Sequence, residues 1–466
     1  MFLTKETVHL DLDSRFTNYV LRFTIIPMDT ENSYNLALDY LYSFVDYSLK
    51  HASELAKADF NLDRMRALMD ELGNPESQYP IIHVAGTKGK GSVSALCASA
   101  LRVAGYKTGL YTSPHLQDYA ERIQVNGQSI PHADLVALVE EIKPAVARVP
   151  YLTTFEITTA LGYLYFARQG CTATVIEVGL GGRLDATNVI TPRVSVITSL
   201  SLDHTLVLGD TLDKIAGEKA GIIKSGVPVI SSPQKDVALT VLKRKADEKG
   251  CDFTLVGRDV EFELLSHSID GQTLQVSALN LPPLKLTIPL LGEHQVQNAA
   301  VAYAALKASG LNLTNEAIQK GFETAHWRGR FEIARKDPPL IFESAHNQDS
   351  FAKMSQTLET YFPGQQVYLL FGASEDKNLT GMFDEIKPKV KLLIATRANH
   401  PRAMQPERIR QLAEQAGMQA EAVDPVEDAL RRGLELSEKD GSILLAAGSI
   451  FSTAAVMATW EKMKKE

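Results

Sequence analysis

The pattern of hydrophobic and polar residues predicts two N-terminal helices. From Tyr34 onward, apolar side chains recur at helical spacing at Leu38, Leu41, Val45 and Leu49. A second helix, ended by a glycine and an Asn-Pro pair at 73–75, has its apolar positions at Leu62, Met65, Leu68 and Leu72. Residues 1–33 show no clear periodicity, and we expect them to form an N-terminal extension.

Short apolar segments alternating with helical ones follow. Strands are predicted at 81–84, 175–178, 194–198 and 227–230, with a helix over 93–103 that Gly105 ends. The strands are continuously apolar, as in a parallel sheet covered on both faces. This alternation predicts an α/β protein.

The pattern changes twice further along. Within 251–290, apolar residues alternate with polar ones, which predicts an antiparallel patch whose inward positions include Val260, Phe262, Leu264, Leu274 and Val276. After a helix around 299–308 and a break near 326–329, strands are predicted again at 367–371, 392–396 and 443–446. We therefore predict a parallel-sheet domain over 34–325 and a smaller, Rossmann-like open-sheet domain over 326–466.

Composition narrows the class of protein. The chain has 466 residues, of which 45% are hydrophobic and 22% charged, as in a soluble globular enzyme. Its net charge of −8 argues against a general nucleic-acid binder. The cysteines, Cys97, Cys171 and Cys251, lie too far apart for a disulfide framework or a CxxC metal site. We expect a cytoplasmic protein.

One uncharged stretch, 441–460, has the length of a membrane span. Its order of residues instead predicts a buried strand, a Gly-Ser turn and a helix of small residues. No signal peptide is predicted, because Glu6, Asp11 and Asp13 interrupt any apolar run at the N-terminus. We therefore expect no membrane association.

The first strand leads into a glycine-rich loop, Gly-Thr-Lys-Gly-Lys-Gly-Ser at 86–92, and then a helix. Such a loop lets phosphate oxygens approach backbone N–H groups, with Lys90 neutralising charge and Ser92 available to Mg²⁺. It departs from the strict P-loop pattern, which has a glycine in place of Val84 and a hydroxyl residue in place of Gly91. We predict an ATP-binding P-loop domain whose phosphate contacts include Gly89 and Gly91. The alternative is a glycine-rich turn that only caps a helix.

Further blocks, in the same order and spacing, connect the chain to a known family. These blocks are 83–92, 112–116, 121–123, 177–188, 202–204, 215–224, 327–331, 345–347 and 376–377. With them, the chain from Tyr34 onward resembles the folylpolyglutamate synthase/dihydrofolate synthase family of Mur-ligase-like, ATP-dependent amide ligases. The family's loop often has Asn in place of Lys88. Its Asp-Gly-Ala-His-Asn segment appears here as Glu-Ser-Ala-His-Asn at 343–347.

The resemblance implies a ligase that joins L-glutamate to a folate carboxylate through an acyl phosphate. ATP would be the co-substrate and Mg²⁺ the cofactor, at two sites, in a monomeric enzyme. Folylpolyglutamate synthase extends the glutamate tail of folate, whereas dihydrofolate synthase adds the first glutamate to dihydropteroate. The motifs do not separate these activities, and one enzyme can carry both.

The resemblance also implies metal ligands at Ser113, Glu177 and His204. From the residues alone, a carboxylate inside an apolar strand needs a partner or a cation, which favours a site at Glu177. Taken singly, His204 is more typical of a loop histidine, and Ser113 of the start of a turn. The implied catalytic groups are Lys90, His204 and Lys219. In the family, the lysine that corresponds to Lys219 is carbamylated, so the resemblance implies that Lys219 is an N6-carboxylysine.

For ATP, the resemblance implies that Asn298 lies near the adenine, Arg330 reaches the phosphates and Glu343 accepts ribose hydroxyls. The alternatives are a helix cap at Asn298 and an interdomain salt bridge at Arg330. The implied pterin pocket comprises Phe155, Glu156, Thr158, Leu184, Asp185 and Ala186. Phe155 is equally consistent with the core, and Glu156 with an acid at a helix N-terminus.

Two other functions are consistent with the phosphate loop. A P-loop ATPase or ATP-binding module without ligase activity would need no amino acid. A Mur-type amino-acid ligase would carry a nucleotide-sugar domain before the loop, but only residues 34–80 show a pattern there.

Overall fold

The computed structural model describes residues 30–46, 60–279 and 281–465. The first two described elements are the helices α1 (Thr30–Tyr42) and α2 (Asp63–Glu71). The first helix ends earlier than predicted, because the Val45 carbonyl accepts a hydrogen bond from the Thr154 backbone N–H at 3.1 Å instead of continuing the helix. Leu49 and most of the predicted extension 1–33 lie outside the described residues. The second helix is confirmed, and Gly73 follows it with a φ of 75°.

The first sheet has eight strands in the order β4-β3-β2-β5-β1-β6-β7-β8. The six strands β2-β5-β1-β6-β7-β8 are parallel to one another. At the other edge, β3 pairs antiparallel with β2, and β4 pairs antiparallel with β3. The strands are β1 Ile81–Ala85, β2 Thr108–Tyr111, β3 Ile123–Val125, β4 Gln128–Ser129, β5 Ala173–Glu177, β6 Val194–Ile197, β7 Val229–Ser231 and β8 Phe253–Leu255. The predicted strands are found, although the last, predicted at 227–230, is shifted toward Ser231.

Helices cover both faces of this sheet, as its apolar strands predict. They are α3 Lys90–Val103, α4 His132–Val146, α5 Thr154–Arg168, α6 Thr205–Leu208, α7 Leu212–Ala220 and α8 Asp236–Glu248. The side chains of α3 pack into one core, and those of α5, α1 and α2 into another. The sheet is therefore buried between two helical layers, so a functional site is expected at the ends of its strands rather than on its faces.

The antiparallel patch is confirmed, but it begins later than predicted. Residues 253–255 form β8 of the parallel sheet, and only then come β9 Val260–Ser268, β10 Gly271–Ala278 and β11 Leu284–Ile288. Leu274 and Val276 of the middle strand are buried, as their alternation predicts. Helices α9 Glu293–Ala308 and α10 Asn315–Glu323 return to pack on α3.

A second, six-stranded sheet has the order β12-β13-β17-β14-β15-β16. Its strands are β12 Glu332–Lys336, β13 Pro339–Phe342, β14 Val367–Phe371, β15 Val390–Ala395, β16 Ala420–Ala422 and β17 Ile443–Ala447. The pattern predicted only β14, β15 and β17. The pattern does not predict the other three, because β12 and β16 lack buried residues and β13 is only four residues long.

The helices of the second sheet are α11 Gln348–Tyr361, α12 Leu379–Ile386, α13 Pro406–Gln415, α14 Val426–Asp440 and α15 Ile450–Met463. The uncharged stretch 441–460 divides into β17, a turn, and α15, whose N-terminus Ser449 caps, as predicted. Among the described residues, every helix is too short or too polar to cross a bilayer.

We expect Gly321→Ala to destabilise the protein by about 1–3 kcal/mol, because a Cβ there would lie 2.3 Å from the Ala100 Cα of α3. Urea unfolding measures the change. Gly217→Ala is the matched control, since Gly217 also lies within a helix but has no atom within 4 Å of an added Cβ. The control should be stabilised by up to about 1 kcal/mol. Equal unfolding midpoints for both variants would contradict the close α3–α10 packing.

Candidate active site

A cavity of about 800 Å³ lies between the carboxyl ends of the first sheet's strands and the second sheet. Open α/β sheets bind their ligands at this edge. All the predicted site residues line it: Gly89, Lys90, Gly91, Ser92, Ser113, Phe155, Glu156, Thr158, Glu177, Leu184, Asp185, Ala186, His204, Lys219, Asn298, Arg330 and Glu343. The fold thus brings residues from most of the chain's length into one space.

The glycine-rich loop forms one wall of the cavity and packs without room for side chains. A Cβ on Gly86 would lie 1.8 Å from Thr198 Oγ1, and one on Gly89 would lie 2.3 Å from Asn298 Oδ1. Gly89 also has a φ of 88° directly before α3, a conformation that glycine adopts without strain. The loop therefore presents the free N–H groups of a helix N-terminus to the cavity.

Glu177, at the end of β5, is a buried carboxylate beside the loop. Its Oε2 accepts a hydrogen bond from the Ser113 backbone N–H at 3.3 Å, and its Oε1 lies 3.9 Å from Lys90 Nζ. Burial raises the pKa of Glu177, and the nearby Lys90 opposes that rise. The distant pairing leaves Glu177 able to bind a cation.

The donors for a metal come from the ends of neighbouring strands. Ser113 follows β2, and Ser92 is buried in the first turn of α3. His204 follows β6 with a φ of 49° and a side chain that is 49% exposed. Among the described residues no three His, Cys, Asp or Glu side chains cluster as a ready metal centre. One carboxylate, two hydroxyls and an imidazole fit Mg²⁺, which keeps several of its own waters.

Lys219, on α7, is 4% exposed and points at the phosphate loop. Its Nζ donates a hydrogen bond to the Gly86 carbonyl at 2.9 Å. Burial, reinforced by the positive charge of Lys90, lowers the pKa of Lys219 to about 7. In a substantial share of the molecules the Lys219 amine is therefore uncharged near pH 7. Carbamylation requires this uncharged form.

The predicted nucleotide contacts come from both parts of the chain: Asn298 lies on α9, and Arg330 and Glu343 lie at the start of the second sheet. Asn298 is buried within α9, where its Nδ2 donates to Gln295 Oε1 at 3.0 Å, so it is not a helix cap. Arg330 has no carboxylate within 4.0 Å among the described residues, whereas the neighbouring Arg328 forms the ion pairs. Burial raises the pKa of Glu343 to about 7, against the charge of Arg330.

The residues predicted for the pterin pocket make several contacts within the protein. Glu156 caps α5, accepting from the Thr153 backbone N–H at 2.8 Å, and pairs with Arg64 at 3.1 Å. Asp185 accepts from the Leu180 backbone N–H at 2.8 Å and from Thr187. Phe155 is half-buried, its ring against Gly179. The helix-terminal interpretation of Glu156 is therefore correct locally, although the side chain also borders the cavity.

Thr158, Leu184 and Ala186 complete this wall. Thr158 is buried, and its hydroxyl donates to the Thr154 carbonyl at 2.6 Å. Ala186 is buried at the start of a short 3₁₀ helix, and Leu184 is half-buried just before it. Together they supply an apolar surface beside the carboxylates.

Sequence reasoning missed several residues that line the cavity. They are Tyr42, Arg64 and Arg122 from the first part of the chain, and Arg402 and Phe451 from the second domain. No local pattern distinguishes them from surface or core residues. Of these five, only Arg122 lies in a segment that resembles the family, 121–123, and nothing in that segment indicates its burial.

Comparison with known proteins agrees with this architecture. Residues 84–306 match the Mur ligase middle domain, and residues 329–450 match the Mur ligase glutamate ligase domain. The fold and site therefore define a Mur-ligase-type enzyme. At 33% identity, the chain matches the dihydrofolate synthase/folylpolyglutamate synthase of Bacillus subtilis over 84% of its own length and 92% of the relative's. It belongs to the folylpolyglutamate synthase/dihydrofolate synthase family, as its sequence motifs predicted.

Solved structures show the same relationship. The folylpolyglutamate synthase of Mycobacterium tuberculosis, complexed with ADP and AMPPCP, matches with a TM-score of 0.84 and 31% identity, over 92% of this chain and 99% of that one. Escherichia coli FolC in complex with DHPP and ADP matches with a TM-score of 0.82 and 31% identity, over 92% and 98%. Two archaeal relatives, named as probable bifunctional folylpolyglutamate synthase/dihydropteroate synthases, are about twice as long: the chain spans 51% and 52% of them.

We expect the free energy of unfolding of the wild type, relative to that of the Lys219→Met variant, to rise as the pH increases above 7. The pKa of Lys219 is about 7 when folded and near 10.5 when unfolded, so between these values the unfolded state binds the extra proton. The gain is about 1.4 kcal/mol per pH unit within that window. Urea unfolding in CO₂-free buffer at pH 7.5 and 9 measures it. The exposed Lys214→Met is the control and should differ from the wild type equally at both pH values; parallel curves for Lys219→Met would contradict the shift.

Proposed function

We propose that the protein is an ATP- and Mg²⁺-dependent ligase that joins L-glutamate to a folate carboxylate. The observation that carries this proposal is the single cavity that joins the phosphate loop to the wall of Phe155 and Asp185. A γ-phosphate at the loop and a carboxylate on a heterocyclic substrate have room to meet there. The family membership supports the same reaction.

The chemistry follows from the poor electrophilicity of a carboxylate. The substrate carboxylate takes the γ-phosphate of ATP, which gives an acyl phosphate and ADP. The amine of glutamate then attacks the acyl carbon, and inorganic phosphate leaves. Lys90 and Arg330 are placed to neutralise charge on the transferring phosphoryl group, and the rigid loop orients it. Asn298 and Glu343 are proposed to contact the adenine and the ribose.

Ser92, Ser113, Glu177 and His204 are proposed to hold Mg²⁺ at two sites. The metal, when bound, neutralises phosphate charge and orients the phosphate oxygens. Lys219 is proposed to react with CO₂ as the neutral amine and to become an N6-carboxylysine. That change replaces a buried cation by an anion and would supply an oxygen ligand beside the loop.

Phe155, Glu156, Thr158, Leu184, Asp185 and Ala186 are proposed to form the folate side of the cavity. An aromatic ring and two carboxylates suit stacking on, and hydrogen bonding to, a flat heterocycle. The E. coli structure named as a complex with DHPP and ADP, and the relatives named for both activities, support a folate or dihydropteroate substrate. We further propose a cytoplasmic monomer with domains 34–325 and 326–466.

A product assay tests the proposal. The purified protein receives ATP, Mg²⁺ and glutamate, with dihydropteroate in one reaction and tetrahydrofolate in another, and mass spectrometry follows the products. We expect a glutamyl unit on at least one substrate: the first indicates dihydrofolate synthase, the second tail extension, and both a bifunctional enzyme. ATP hydrolysis without any gain in substrate mass would favour the P-loop ATPase instead.

Lys90→Ala is expected to lower kcat for ligation by at least 100-fold, because Lys90 begins α3 at the loop and carries the charge nearest Glu177. Steady-state kinetics measure the loss, and circular dichroism checks that the fold remains. Lys214→Ala, on the exposed surface of α7, serves as the control and should retain wild-type kinetics. Unchanged ligation by Lys90→Ala would refute the phosphate-loop assignment.

His204→Ala is expected to raise the Mg²⁺ concentration for half-maximal activity about tenfold or more, because loss of a ligand weakens the site. Activity is titrated against Mg²⁺ at saturating ATP and glutamate. The control is His326→Ala, which changes an exposed histidine outside the lining of the cavity. An identical Mg²⁺ dependence for the wild type and His204→Ala would refute the ligand role.

A further inference from the structure

Lys88 lies in the phosphate loop, and its side chain is held by other protein groups. Its backbone N–H donates to the Ser199 carbonyl at 3.1 Å, so the loop is pinned to the segment that follows β6. Its side chain is only 16% exposed. The direction of this side chain is therefore set by neighbouring protein groups.

The first partner of Lys88 is Asp203, beyond β6. Lys88 Nζ donates to Asp203 Oδ2 at 3.1 Å, and both side chains are 16% exposed. The same Oδ2 lies 3.4 Å from Asn347 Nδ2, on the second domain. An ion pair with so little solvent contact is screened less than a surface pair. Asp203 thus connects the ammonium group of Lys88 to Asn347, at the start of α11.

The second partner is His346, also on the second domain. Lys88 Nζ lies 3.5 Å from His346 Nε2. His346 Nδ1 lies 2.9 Å from the Ser344 carbonyl, which can only accept, so Nδ1 carries the proton. Nε2 is then an acceptor that faces the ammonium of Lys88. Lys88 therefore contacts the second domain directly at His346 and, through Asp203, is linked to the adjacent Asn347.

We propose that Lys88 is a positioning residue that holds the second domain against the phosphate loop. Its engagement with Asp203 and His346 distinguishes it from Lys90, whose nearest carboxylate is 3.9 Å away. The link would keep His346 and Asn347 beside the loop, where the two domains must meet during ligation. This catalytic consequence rests on the proposed function, but the structural link does not.

The test compares Lys88→Met with a matched interdomain control. Lys336 Nζ donates to Asp270 Oδ1 at 2.6 Å and also joins the two parts of the chain, but at an exposed position outside the cavity. Lys336→Met therefore removes an ordinary interdomain ion pair. Lys88→Arg keeps the charge and serves as the conservative variant.

Pulsed electron spin resonance measures the interdomain distance without any substrate. Spin labels are attached to cysteines introduced by Arg244→Cys on α8 and Glu435→Cys on α14, after Cys251→Ser removes the half-buried native thiol. We expect Lys88→Met to broaden or shift the distance distribution, and Lys88→Arg and Lys336→Met to keep it. Asp203→Asn removes the same ion pair from its other side and should reproduce the change if Lys88→Met folds poorly.

Kinetics on the same variants separate positioning from phosphate binding. We expect Lys88→Met to lower kcat for ligation about tenfold, with a Kd for a fluorescent ATP analogue within about twofold of the wild type. An unchanged distance distribution in both Lys88→Met and Asp203→Asn would overturn the proposal. So would an equal change in Lys336→Met, or a loss of nucleotide affinity that matches the loss of kcat. If the wild type makes no product, the proposed function fails while the distance measurement still tests the link.

Discussion

The close approach of the phosphate-loop backbone to three distant segments is the constraint on which the site depends. Gly86 packs against Thr198, Gly89 against Asn298 of α9, and Gly91 against the Trp327 ring, whose nearest atom is 2.6 Å from the position of an added Cβ. These contacts are steric and leave no room for a larger residue. They bring the end of β6, the start of α9 and the entry to the second domain to one loop.

Around this loop the protein concentrates charge on buried side chains. Lys90 lies near Glu177, Lys219 donates to the loop carbonyl of Gly86, and burial opposes the ionised form of both Lys219 and Glu177. An unpaired buried charge is costly, so the site is suited to ligands that complete the pairing. A nucleotide polyphosphate with a divalent cation has this chemistry. The electrostatics and the strand-end geometry therefore favour the same class of ligand.

Much of the fold was predictable because its periodicities are local. The strands around the loop, the helix α3, the alternating patch and the division of 441–460 into strand and helix all follow from apolar spacing. The errors have physical reasons. Val45, predicted to lie in the first helix, instead forms a β-bridge with Thr153. Residues 253–255, predicted to belong to the antiparallel patch, pair with the free edge of β7 and extend the parallel sheet. Such pairings depend on partners that the local sequence does not contain.

The sequence by itself determined the loop, the alternation of strands with helices around it, and a set of residues that all line one cavity. Only the tertiary structure decided what else those residues do. Glu156 caps α5 and pairs with Arg64, Asn298 sits inside a helix, and Lys88 bridges to His346 across 258 residues of chain. Local spacing specifies which face of an element is buried. Contacts between elements arise only when the sheets are assembled, because they depend on how the strand ends meet.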